Sequence, residues 1–504
     1  MTSLDEAPPT AATPGHGAVG ADDQDVAALG YAPKLHRTMS KYTSFALAFS
    51  MVSINTGIIT LFADPFSRIG GVAILLWLAV IPAVFCIVAV YAHLAGRIPL
   101  TGYAYQWSSR LVGPHFGWFT GWIALISFLA GTAATAAAVG SVFAPEIWHD
   151  PTRGQVQLLS IATTVVVCLL NVFGVKIATR VNNIGASMEL AGTVLLGLVL
   201  LAGLLLFFHD THGLGILTST ERVGHEPITL TSIALAGLLP VYVLLGWEGA
   251  ADLAEETQDP RRAAPQAMFR SVAVSGAAGL IIFALLGMAI PGSVSGFLDH
   301  PENPVFLLVR DQVGSFAKDL MVVVGFASIF ACTIANMAVA TRMVYALSRD
   351  RMLPASNLLA TVNEKTGTPI AAIVGVTALA VVLNVLNAGL VAKIFAIVGL
   401  GYYFTYLLTL IAAYRAERAG RIPDAPPGVF NLGRWVGPVA AVGAAWAALV
   451  IVVLTVPAVN HTTAYYTAGA FAIGALWWVL ALRRRLNHGH AGPPESIAVA
   501  RATT

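Results

Sequence analysis

An all-α membrane protein of twelve transmembrane helices is the fold class this sequence predicts, and three observations predict it. Of the 504 residues, 57% are hydrophobic and 11% charged, whereas a soluble domain carries about 25% charged residues. Apolar runs of about 20 residues, the length that crosses a hydrocarbon layer of ~30 Å, recur between residues 42 and 483. The basic residues are also sorted: of 28 Lys and Arg, only Arg68, Arg153, Arg222, Arg310, Lys318 and Lys393 fall outside the segments on the N-terminal side of the bilayer. That asymmetry is what the positive-inside rule requires of an even number of spans with both termini cytoplasmic.

The elements follow in order. Residues 1–40 read as a disordered cytoplasmic tail, rich in Ala, Pro, Gly and Asp through residue 33 and without an apolar run, so neither a signal peptide nor a core segment is expected there. The transporter-sized membrane domain covers 41–485, with spans near 42–63, 71–95, 115–142, 156–175, 184–208, 232–254, 270–291, 317–346, 370–388, 391–413, 436–457 and 464–483. Each must be helical, because a strand edge or loop facing lipid would leave backbone groups unpaired. Residues 486–504 form a cytoplasmic C-terminal tail, and the segment 291–312, opening at Pro291-Gly292, is an outer loop long enough to act as a lid.

Two spans are interrupted. Span 1 reaches Ser53-Ile54-Asn55-Thr56-Gly57 at mid-membrane depth, and span 6 places Leu245-Gly246-Trp247-Glu248-Gly249 among Leu, Val and Ala. A packing patch of small residues is the plain structural reading. The breaks lie five spans apart, however, so spans 1–5 and 6–10 form two repeats of five, inverted because the number per repeat is odd, with spans 11 and 12 appended. Broken helices at matching repeat positions point to a transporter's central site. Unwinding frees N–H groups that suit a substrate carboxylate and carbonyls that suit an ammonium.

The residues around these breaks resemble the amino acid–polyamine–organocation superfamily, near its permeases for amino acids, choline and 4-aminobutyrate. The resemblance is carried by Phe49-Ser50-Met51 to Gly57, Ile98-Pro99-Leu100-Thr101-Gly102-Tyr103-Ala104-Tyr105-Gln106-Trp107 and Gly117-Trp118-Phe119-Thr120-Gly121-Trp122. Gly246-Trp247-Glu248, Ala254-Glu255-Glu256-Thr257, Asp259 to Pro265, and Arg342-Met343-Val344-Tyr345-Ala346 with Arg349-Asp350 complete it. Thr101-Gly102 departs from the pair of glycines usual there. The resemblance implies a leucine-transporter-like fold in the cell membrane, with substrate held between spans 1 and 6, walls from spans 3, 8 and 10, and rocking of spans 1, 2, 6 and 7. It implies an amino acid or related amine as substrate, with coupled uptake or exchange.

Individual residues carry competing readings. Glu248 favours a substrate amine if ionised in the pocket, or else holds the span 6 break open through hydrogen bonds. Trp247 suits cation–π attraction to an amine or plain packing, and Tyr402 suits closure of the pocket or packing. Glu189 stands where proton-coupled relatives often carry a lysine in place of bound sodium. A carboxylate there binds and releases a proton, holds a cation with Ser328 and Thr333 of span 8, or forms an interhelical bridge. Burial disfavours its charged form, so a proton is expected over sodium as the coupling ion. Hydroxyls in membrane helices usually bond their own backbone. Glu255, Glu256 and Arg262 at the inner end of span 6 are either a gating salt-bridge cluster or a solvated charge run.

Other classes are disfavoured. No phosphate-binding loop, zinc-protease motif or nucleophile elbow is present, and no repeated filter marks a channel. A net charge of +2 without a basic aromatic stripe gives no reason to expect nucleic acid. Cys86, Cys168 and Cys332 stand singly in apolar segments, so no metal site or cofactor is expected. A non-transporting amino acid sensor keeps the fold and remains the rival. The chain is expected to work as a monomer or homodimer in the bilayer.

Overall fold

The computed structural model describes residues 20–223, 227–386 and 391–494, and among them the chain is helical with no strand and three isolated β-bridges. Among the described residues, ten helices are long and apolar enough to cross a membrane. Two shorter apolar helices, Leu230–Val243 and Ile370–Leu386, stand where the sixth and ninth spans are predicted. The first of these is short because its span is interrupted, not because its apolar run ends. The second runs up to Leu386, beyond which residues 387–390 lie outside the described set.

Helix burial sorts the bundle into a centre and a lipid-facing shell. The helix Pro114–Ile147 is 94% buried along its most apolar window and Ser315–Arg349 is 72% buried, whereas Val175–Leu206 and Ala458–Asn487 are only 22% and 17% buried. The sequence explains the difference. Pro114–Ile147 is dominated in its second half by Ala, Gly and Thr, which let neighbouring backbones approach on every side. Val175–Leu206 displays Val194, Leu195, Leu198 and Leu205 outward, as a helix bathed in acyl chains should.

The N-terminal segment differs from its expectation. Residues 1–19 lie outside the described residues, but 20–40 are structured: a helix runs Ala21–Ala28, and Val26, Leu29, Tyr31, Leu35 and Met39 are buried. Met39 pairs with the inner end of span 6, its N–H donating to Glu256 O at 2.9 Å while its carbonyl accepts from Gln258 N at 2.9 Å. Arg261 grips Asp25 with Nε···Oδ2 2.6 Å. Composition misses this because the ordering comes from partners more than 200 positions away. At the other end, Gly492 N donates to Asp350 O at 2.9 Å, and residues 495–504 lie outside the described set.

Candidate functional site

Both expected interruptions are present, and they face each other. Span 1 divides at Ser53, with φ 34° and ψ 94°, into the helices Lys41–Val52 and Ile54–Leu61. Span 6 leaves helical geometry after Leu238–Val243 and resumes at Gly249–Asp252, with Gly246 at φ +93°. A Cβ at Gly246 would lie 2.8 Å from Met51 Cβ, and one at Gly57 would lie 2.3 Å from Val243 Cγ2. Glycine is therefore required at 246 for its dihedral and at both positions for the close approach of the two helices.

The span 1 break is braced by polar groups. Ser53, a non-glycine residue at positive φ, sits in a conformation that costs on the order of 1–3 kcal/mol. Three hydrogen bonds hold it there. Its Oγ accepts from Thr56 N at 3.3 Å, pairs with Thr56 Oγ1 at 2.6 Å and donates to Glu189 Oε1 at 3.0 Å. The same carboxylate oxygen accepts from Asn55 N at 3.1 Å, and Asn55 Nδ2 donates to Ser328 Oγ at 3.1 Å. The N-terminal amides of Ile54–Leu61 at Asn55 and Thr56, expected to await a substrate carboxylate, are thus occupied by Glu189 and Ser53. Glu189 is fully buried, and its Oε2 has no hydrogen-bond partner among the described residues.

The span 6 break is braced by rings. Trp247 is fully buried, donates Nε1–H to Leu244 O at 3.1 Å, stacks on Tyr406 with centroids 5.3 Å apart and meets Tyr91 edge-on at 5.1 Å. Tyr406 in turn donates its hydroxyl to Glu248 Oε2 at 2.9 Å. Trp247 and Glu248 therefore form a packed unit with span 10 behind the break.

A cavity of about 60 Å³ lies between the two breaks. Of the sequence candidates, Ser53, Thr56, Gly57, Leu245 and Tyr402 line it, while Ile54, Asn55, Gly246, Trp247, Glu248 and Gly249 do not. Gly249 packs instead on Met51 and Leu47. The cavity also recruits Gly131 and Thr135 from Pro114–Ile147, Tyr242 before the span 6 break, and Cys332 and Asn336 from Ser315–Arg349. Gly131 and Thr135 were missed, although their i, i+4 spacing in an Ala-rich run is a readable signal for one helix face.

The oxygen ligands expected on span 8 do not converge. Ser328 Oγ donates to Val324 O at 2.9 Å while accepting from Asn55, but Thr333 Oγ1 donates to Ile329 O at 2.8 Å and touches neither Asn55 nor Glu189. Four-back bonding to the helix's own carbonyls accounts for both hydroxyl protons.

Beyond the span 6 break, Glu255 and Glu256 are buried and paired, but not with Arg262. Arg342 holds Glu256 through Nε···Oε1 2.6 Å and Nη2···Oε2 3.1 Å, and Arg349 Nη1 holds Glu255 Oε2 at 2.9 Å. Thr101 N and Gly102 N donate to Glu255 and Asp252 at 3.0 and 2.9 Å. Arg262 is half exposed and lies 3.6 Å from Asp259. The correction has a simple cause: Asp259 turns the chain at φ +47°, so the helix Pro260–Met288 carries Arg262 outward, and buried carboxylates are met by arginines that reach them inside the bundle.

The outer segment 291–312 contains the helices Val294–Leu298 and Pro304–Val313, and Asn303 Nδ2 donates to Ile59 O at 2.9 Å. It therefore touches the outer half of span 1 directly. Glu302 and Arg310 pair at 2.6 Å, and that hydrogen bond holds the Glu302 carboxyl below its ordinary value.

The model of a family described as amino acid permease matches residues 40–479. The chain is 24% identical to the amino-acid permease BAT1 of Arabidopsis thaliana, over 93% of this chain and 95% of the plant protein. It is 24% identical to the BAT1 homolog of Oryza sativa subsp. japonica over 92% and 94%, and 22% identical to amino-acid permease 2 of Neurospora crassa over 89% and 84%.

Proposed function

Since the chain belongs to the amino acid permease family, we propose that it is a secondary active transporter that moves amino acids across the cell membrane by alternating access. The reading takes twelve spans, both termini in the cytoplasm and two inverted five-helix repeats. Substrate sits in the cavity between the breaks of spans 1 and 6. One observation carries the reading: two interrupted helices meet around a cavity, and each break is stabilised by residues that do not line that cavity.

Glu189 supplies the coupling. A buried carboxylate with one bare oxygen is costly as an anion and cheap as a neutral acid. Its hydrogen bonds to Ser53 and Asn55 weaken when it takes a proton, which loosens the break and the first turn of Ile54–Leu61 from the scaffold. Release of the proton restores the brace. Unpairing of Arg342 from Glu256 and Arg349 from Glu255 then opens the inner mouth, so these arginines take the gating role first given to Arg262.

The experiment is uptake into liposomes under imposed proton and sodium gradients, with counterflow as the control. An inward proton gradient is expected to drive accumulation of an amino acid above equilibrium, and a sodium gradient to have no effect. Sodium-driven accumulation would replace the proton assignment, and absence of both uptake and counterflow would favour the sensor.

A further inference from the structure

We infer that the central cavity selects small amino acids without a net charge and rejects cationic amines and bulky side chains. This rests on the transporter reading above and narrows its substrate.

Charge comes first. Among the described residues, no Asp, Glu, Lys, Arg or His lines the cavity. Glu248, the acid that would attract an amine, does not line it and accepts from Tyr406 through one oxygen, and Glu189 stands behind Ser53, bonded to it through one oxygen. An extra positive charge on a substrate would enter at membrane depth with no counter-charge in the cavity wall, an arrangement that membrane proteins avoid. A zwitterion has less such need, because its two charges cancel.

Size comes second. A water-sized group needs about 10–15 Å³ of such space, so a cavity of about 60 Å³ holds roughly four to six of them. Glycine and alanine fall in that range and serine exceeds it by one non-hydrogen atom, whereas a tryptophan or arginine lies far outside it. The wall on the scaffold side is fixed. Asn336 Oδ1 stands 2.6 Å from the place a Cβ would take at Gly131, and Asn336 Nδ2 is tied to Cys332 O at 2.9 Å. Thr135 is tied to Gly131 O at 2.9 Å. These side chains cannot swing away without breaking bonds inside their own helices. Asn336 is thus the residue that sets the depth of the side-chain pocket.

The test is competition against labelled alanine uptake in proteoliposomes, followed by the same panel on Asn336→Ala. For the unaltered protein, glycine and serine are expected to compete at least tenfold more strongly than lysine, arginine, choline or tryptophan. The variant is expected to gain leucine as a competitor by about tenfold while choline stays excluded. Equal competition by arginine, choline or tryptophan in the unaltered protein would overturn the selectivity while leaving the transporter reading intact. Leucine competing no better in a well-inserted variant that still takes up alanine would remove Asn336 from the role. Uptake of no amino acid at all, with counterflow also absent, would overturn the transporter reading and the selectivity with it.

Discussion

The two broken helices are held open by different means. At Ser53 the interruption is a single residue, braced by hydroxyls and one buried carboxylate that reaches across from Val175–Leu206. At Gly246 the interruption spans several residues and is braced by a glycine dihedral and by the Trp247–Tyr406 stack, with Glu248 as its polar anchor. Each break thus has a buried carboxylate with one oxygen that lacks a partner among the described residues, but Glu189 accepts directly from the broken backbone of span 1 at Asn55 N, whereas Glu248 accepts from the Tyr406 hydroxyl. The difference assigns coupling to span 1 and passive shaping of the site to span 6.

The largest expected effect is at the glycines. Gly246→Leu forces a side chain into Met51 at a left-handed dihedral, and Gly57→Leu drives one into Val243. Each is expected to lower uptake at least a hundredfold while surface biotinylation or fluorescence detects normal insertion. Wild-type uptake in either variant would show that the facing breaks are not the site.

Next comes the brace itself. Glu189→Gln keeps the shape but cannot ionise, so accumulation driven by a pH gradient should vanish while counterflow persists. If the variant still concentrates substrate against its gradient, Glu189 is a structural bridge and the contrast between the two breaks disappears. Tyr406→Phe removes the bond to Glu248 and should leave gradient dependence intact, lowering the maximal rate only a few-fold. A change in proton stoichiometry in that variant would move coupling to span 6.

Stability separates the two arginine positions at the inner mouth. Arg342→Met strands the fully buried Glu256, and breaking such a pair costs on the order of 3–5 kcal/mol, so a marked fall in detergent melting temperature is expected. Arg262→Ala removes an exposed pair, and its effect should stay within about 0.5 kcal/mol. Equal destabilisation by the two would restore Arg262 to the gate.

Much of this was legible in the sequence. Apolar runs locate the membrane helices, because lipid imposes length and internal hydrogen bonding on any span. The breaks are legible because Ser, Asn, Gly and Glu are out of place at that depth. Helix rotation is not legible, and it decided the rest. Trp247 and Glu248 adjoin the break yet face Tyr406, while Gly131, unremarkable in its Ala-rich run, packs against Asn336 in the cavity wall. Partner choice is equally hidden. Glu256 lies close to Arg262 in sequence but pairs with Arg342, which follows it by 86 positions. The ordering of residues 20–40 depends on Asp25, Tyr31 and Met39 finding Arg261, Asp350 and Glu256 across the inner mouth.

The most direct test of the central site uses Cys332, which lines the cavity and carries a free thiol. With Cys86 and Cys168 replaced by Ser, the rate at which a small membrane-permeant thiol reagent modifies Cys332 would be followed as transported amino acid is added. The account predicts at least fivefold protection, half-complete at the concentration that half-saturates uptake. Modification at an unchanged rate under saturating amino acid would contradict it.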